Sequence, residues 1–114
     1  MQLRSMAARN HQEMKILVAD DDPLTRRLLQ ETLEHGGYEV IVVEDGRAAL
    51  ECLCRKDGPR LALLDWLMPE VNGLSVCRKI RRHSEHPYIY VILLSSRRAK
   101  EDILSGFEAG ADAI

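Results

Sequence analysis

The sequence predicts an α/β fold: a doubly wound parallel sheet with helices on both faces. Two patterns carry that expectation. Short apolar or β-branched runs alternate with amphipathic stretches four times between Lys15 and the end of the chain, the signature of strand–helix–strand units. The run Leu61–Leu64 is apolar throughout, as a strand covered on both faces should be. A third pattern bears on chemistry, because the predicted strands stop at polar residues: Asp20, Asp65 and Ser95.

Taken in order, Lys15–Ala19 is the first strand and ends at Asp20-Asp21-Asp22. Pro23 suits the first position of a helix and Asp22 its N-cap. Leu24, Leu28, Leu29 and Leu33 give that helix an apolar face, and Gly36-Gly37 ends it. Tyr38–Val43 is the second strand. A helix opened by Asp45-Gly46 runs through Ala49, Leu50 and Leu53 to the breaker Asp57-Gly58-Pro59. After the third strand, Asn72-Gly73 starts a helix with Leu74, Val76, Cys77 and Ile80 turned inward. Tyr88–Leu94 is the strongest strand signal, and a last helix carries Ile103 and Phe107 one turn apart.

Composition narrows the class. With 114 residues, 46% hydrophobic and 30% charged, the chain forms one domain with a single modest core. The net charge is −2 and the basic residues are scattered, so nothing points to direct nucleic-acid contact or a membrane surface. No apolar run approaches the roughly 20 residues of a membrane span. Residues 1–14 lack a secretory h-region and read as a flexible tail, leaving 15–114 as the folded unit. Cys52, Cys54 and Cys77 form an odd set without metal-ligand spacing, which points to reduced thiols in a cytoplasmic protein. The histidines (His11, His35, His83, His86) fall in the tail, at a helix end and in a loop, none placed as a metal ligand.

In parallel α/β sheets the site lies beyond the carboxyl ends of the strands. Asp20 and Asp21 after strand one, Asp65 after strand three and Ser95 after strand four therefore converge. Clustered carboxylates hold protons unless a cation intervenes. An all-oxygen set without His or Cys favours Mg²⁺, with Mn²⁺ an admissible substitute. A carboxylate beside Mg²⁺ can attack a phosphoryl group and form an acyl phosphate, while the Ser95 hydroxyl donates to a phosphoryl oxygen.

The segments KILVADDDP, LALLDWLMPEVNG and VILLSS, in this order and spacing, resemble the receiver domain of bacterial two-component response regulators over Lys15 to Ile114. The resemblance implies a flavodoxin-like fold with strand order 2-1-3-4(-5) and phosphotransfer from a sensor histidine kinase or phosphotransfer protein. Such a domain assists its own phosphorylation and dephosphorylation rather than turning over a substrate. By position, Asp20 and Asp21 match the acidic pair that holds Mg²⁺, and Asp65 matches the phosphoacceptor, itself on the metal. The backbone carbonyl of Leu67 matches the third protein ligand, and Ser95 the switch hydroxyl. Pro69 and Gly73 match the loop after the acceptor. Leu67 and Arg97, each two residues past a site residue, match positions that govern hydrolysis of the acyl phosphate. An apolar Leu67 cannot position an attacking water, which implies a longer-lived phosphate.

The family also carries a Lys-Pro after a fifth strand, and this sequence stops at Gly110-Ala111-Asp112-Ala113-Ile114, just short of it. A strand, a helix and their connections would add about 20 residues. Ile114 stands where the family keeps an aromatic residue. The chain therefore reads as a fragment of a longer regulator, or else as a shortened receiver. Either way Tyr88–Leu94 is expected to be an exposed apolar edge that promotes self-association. Arg97 and Arg98 could partly replace the lysine, although they read more simply as solvated residues of the last helix. Trp66 is expected to shield the site or its rim, where it would report metal binding by fluorescence.

Two rival classes remain. Asp20-x-Asp22 after an apolar strand also resembles the nucleophile and acid of a haloacid-dehalogenase-type phosphatase, though Leu24 breaks that pattern. An interaction module that keeps the fold without the switch is the other. A calcium loop beginning at Asp20 fails at Leu24 and Thr25.

Overall fold

The computed structural model describes residues 14–82, 87–96 and 99–114. Expectations for the tail before Met14, for His83 and His86, and for Arg97 and Arg98 lie outside the described residues. Strands β1 (Lys15–Ala19), β2 (Glu39–Val43), β3 (Leu61–Asp65) and β4 (Tyr90–Leu94) alternate with helices α1 (Pro23–His35), α2 (Gly46–Leu53), α3 (Gly73–Arg82) and α4 (Lys100–Glu108). The sheet is parallel throughout in the order β2-β1-β3-β4, as the receiver resemblance implies.

That order decides which face each helix covers. Crossovers between parallel strands are right-handed. The step from β1 outward to β2 therefore puts α1 on one face, and the later steps in the opposite direction put the remaining helices on the other. The larger core lies under α2 and α3. It joins Leu17, Ala19, Ala62, Leu64, Val91 and Leu93 of the strands to Ala49, Leu53, Val76, Cys77 and Ile80 of the helices. The second cluster, Ile16, Val18 and Leu63, packs against Leu29 and Leu33 of α1.

The predicted apolar face of α1 is narrower than its leucine content. Leu29 and Leu33, four residues apart, meet the sheet, whereas Leu24 and Leu28 are 65% and 56% exposed. At 3.6 residues per turn, Leu28 lies about 100° around the helix from Leu29, and Leu24 further still. Phe107, one turn from Ile103 on α4, is also exposed. Gly106 instead makes the close contact of α4, against Leu93 and Ile114.

The expected bare edge at Tyr88–Leu94 is corrected along its middle. The C-terminal residues run parallel to β4 as a nascent fifth strand, with a bridge between Ile92 and Ala113. Leu93 N donates to Ala113 O at 3.0 Å, and Asp112 N donates to Val91 O at 2.8 Å. Among the described residues the α1 side of β3 and β4 stays open, where Leu61, Ile92 and Leu94 are only half-buried and Tyr90 is exposed. Among the described residues no helix is long and apolar enough to cross a membrane.

Candidate metal centre

Registry brings the acids together. Ala19 pairs with Leu64, and one residue further on Asp20 stands beside Asp65 at the carboxyl end of the sheet. Leu94 pairs with Asp65, so Ser95 leaves β4 next to the same crevice, half-buried. Carboxylate oxygens of Asp20, Asp21 and Asp65 all lie within 4.8 Å of one another. Leu67, whose carbonyl the resemblance nominates, follows Asp65 in the next loop and leaves its side chain 60% exposed.

The electrostatics of this crevice are unfavourable for the protein alone. Asp20 is 5% exposed, and removing a carboxylate from water is costly without a partner. One oxygen is satisfied locally, because Asp22 N donates to Asp20 Oδ1 at 2.9 Å. Burial first, and then the Asp20 charge, push the Asp65 carboxyl up to about 6 from its ordinary 3.8. Asp21 and a hydrogen bond with the Asp20 side chain add to the rise, and the Leu67 N–H, which donates to the carboxylate, opposes it. The three oxygen donors at this spacing fit a hard divalent cation, which would relieve that repulsion.

Asp22 takes the structural role expected of it: its side chain accepts from Thr25 N at 3.2 Å as the cap of α1. It points to helix capping and away from the general acid that the phosphatase reading requires. Asp45 likewise caps α2, accepting from Ala48 N at 2.8 Å. All three cysteines are free thiols, Cys52 and Cys77 buried and Cys54 exposed. Trp66 is corrected from the rim to the interior. Side chains alternate along a strand, so with Asp65 facing the crevice the next residue turns into the core under α2 and α3, 7% exposed.

Two contributors escape a reading of the sequence. The Arg26 guanidinium donates from Nη1 to Asp20 O at 2.9 Å and lies 3.6 Å from Glu44, tying the β1–α1 loop to the end of β2. Its spacing of a turn and a half beyond Asp20, on the inward side of α1, is the signal that could have found it. The other is the contact of Gly46 with the loop after Asp65, for which a glycine at a helix start gives no distinctive mark.

These features define a class: a parallel α/β domain with a cluster of aspartates at its strand ends that could hold a divalent cation. The family model described as "Response regulator receiver domain" matches residues 16–114, and the chain belongs to that family. A probable transcriptional regulator ycf27 of Galdieria sulphuraria is 43% identical over 98 residues, covering 86% of this chain and 37% of that protein. The chain thus spans about two fifths of the length of the curated relatives it matches. Among solved structures, a Francisella response regulator receiver domain superposes with a TM-score of 0.79 at 29% identity, over 87% of this chain and 79% of that one. The Mn(2+)-bound form of response regulator Rcp1 gives a TM-score of 0.77 at 27% identity, over 88% and 78% of the two chains.

Proposed function

We propose that this receiver domain accepts a phosphoryl group on Asp65 from the phosphohistidine of a sensor kinase or phosphotransfer protein, with Mg²⁺ held by Asp20, Asp21, Asp65 and the Leu67 carbonyl. The convergence of Asp20, Asp21 and Asp65 within 4.8 Å carries this reading. The manganese-bound Rcp1 neighbour supports a divalent cation at such a domain.

When bound, the cation neutralises charge on the crevice carboxylates and on the oxygens in transfer. The remaining work falls to the chain. A carboxylate oxygen of Asp65 attacks phosphorus, the phosphorus–nitrogen bond to the donor imidazole breaks, and the imidazole takes up a proton. The Leu67 N–H orients the Asp65 carboxylate, and Asp20, fixed by Asp22 N–H and by Arg26 on its carbonyl, holds the opposite wall. Ser95 donates its hydroxyl to a phosphoryl oxygen, and that new bond biases the domain between two arrangements with different partner contacts. Leu24, Leu28 and Leu67 are exposed and give a donor protein apolar ground near the crevice. A cytoplasmic location follows from this chemistry, because histidine kinases draw on ATP.

The test is a Mg²⁺ titration followed by Trp66 fluorescence, with and without beryllofluoride as a phosphoryl mimic. Saturable Mg²⁺ binding and a further change with beryllofluoride are expected. Silence in both would favour an interaction module that keeps the fold without the switch.

Self-association is proposed at the half-buried Leu61, Ile92 and Leu94 surface rather than through the β4 edge. Light scattering should show a mass that rises with concentration, and a constant monomer mass would count against it.

A further inference from the structure

We infer that Gly46, which begins α2 and belongs to none of the acid-bearing segments, is a positioning residue for the phosphoryl site, acting through the loop that follows Asp65. The inference rests on the function proposed above. A Cβ built on Gly46 would stand 1.7 Å from the carbonyl oxygen of Val71 and 2.6 Å from its carbonyl carbon. Backbone, not a yielding side-chain tip, occupies that space. Gly46 N also donates to Pro69 O at 3.3 Å. The start of α2 is therefore seated directly on the Pro69–Val71 backbone, and only a residue without a side chain fits there.

That loop has little freedom to move away alone. Val71 N donates to Pro69 O at 2.8 Å, and Glu70 between them is held at a φ of 70°, a left-handed conformation unusual for a side-chain-bearing residue. Met68 and Val71 pack against the larger core. At its far end Gly73 N donates to Trp66 O at 2.9 Å, and a Cβ on Gly73 would lie 2.3 Å from Asp65 O. A methyl group on Gly46 pushes the loop as a unit, and the unit includes Leu67. Its N–H holds the Asp65 carboxylate and its carbonyl is the proposed metal ligand. Displacement at α2 is thus delivered to the acceptor without touching an acid.

The experiment compares wild type, Gly46→Ala, the double variant Gly46→Ala/Glu70→Gly and the control Arg47→Ala, an exposed neighbour on the same turn. Mg²⁺ affinity is read by Trp66 fluorescence and stability by thermal melts in EDTA. Gly46→Ala is expected to bind Mg²⁺ about tenfold or more weakly, the scale of losing a partner that orients a ligand. Arg47→Ala should match wild type. Glycine at position 70 frees the loop to step aside, so the double variant should recover its melt but not its Mg²⁺ affinity. Wild-type affinity in Gly46→Ala would overturn the inference, as would recovery of both properties in the double variant. A double variant that fails to fold would overturn it too, by making Gly46 a requirement of the fold itself. Absence of Mg²⁺ binding in wild type would instead reject the proposed function.

Discussion

Replacing Asp65 with Asn is expected to reduce phosphoryl uptake to background and, in metal-free protein at pH 7, to raise the melting temperature. The first effect is chemical: the amide lacks the anionic oxygen that attacks phosphorus. The second is electrostatic. Asp65 sits against Asp20 and Asp21 with its carboxyl raised to about 6 from 3.8, so between those values the folded protein holds a proton that the unfolded chain has released, and above them it carries the repulsion. Stability then falls as pH rises from about 4 through 6, because the native state must give up that proton into a negative crevice. The advantage of the Asp65→Asn variant should be largest above pH 6 and should vanish below about pH 4. Mg²⁺ should recover the loss in wild type and do much less for the variant. Calorimetry of both proteins in EDTA between pH 4 and 7.5 checks the sign. A wild type whose advantage over the Asp65→Asn variant grows with pH would contradict it.

The largest loss of stability is expected from Asp112→Ala, on the order of 3 kcal/mol. Arg81 donates from Nε to Gly110 O at 3.0 Å, from Nη1 to Ile89 O at 2.7 Å and from Nη2 to Asp112 Oδ2 at 2.9 Å. Asp112 accepts also from Val91 N at 2.8 Å and from the Tyr88 hydroxyl, and the guanidinium lies 4.5 Å from the centroid of the Tyr88 ring. The two charged side chains are only 23% and 20% exposed. Truncating Asp112 leaves the Val91 N–H and part of the guanidinium without their acceptor in a half-dry site, where an unmade charged bond costs most. It also releases the segment that covers the β4 edge. A fall in melting temperature on the order of 15 °C should follow for a domain of this size. A fall of only a few degrees would show the network to be solvent-screened. This clamp binds the amino-terminal part of β4, so Mg²⁺ affinity of the folded variant should change little.

The elements legible in the sequence are those whose signals are local. Apolar runs ending in Asp20, Asp65 and Ser95 mark strands and their chemistry together, because a carboxylate after a buried run is costly unless it is paired or put to use. The caps at Asp22 and Asp45 are legible because a helix start needs an acceptor for its free N–H groups. Contacts set by tertiary distance are not legible. Trp66 resembles a rim residue because its neighbour faces the crevice, yet strand alternation sends it inward. Leu24 and Leu28 look internal by composition, and helix rotation leaves them outside. The Arg81–Asp112 network joins residues on α3, β4 and the C-terminal segment, and nothing in the local spacing marks them as partners. The Gly46 seat on Val71 depends on how α2 approaches a loop of another unit.

The most direct test is a crystal grown with Mn²⁺ and measured at the manganese absorption edge. An anomalous peak is expected among the carboxylate oxygens of Asp20, Asp21 and Asp65 and beside the Leu67 carbonyl. A fully occupied manganese elsewhere, with the crevice carrying no anomalous density, would contradict the proposed centre.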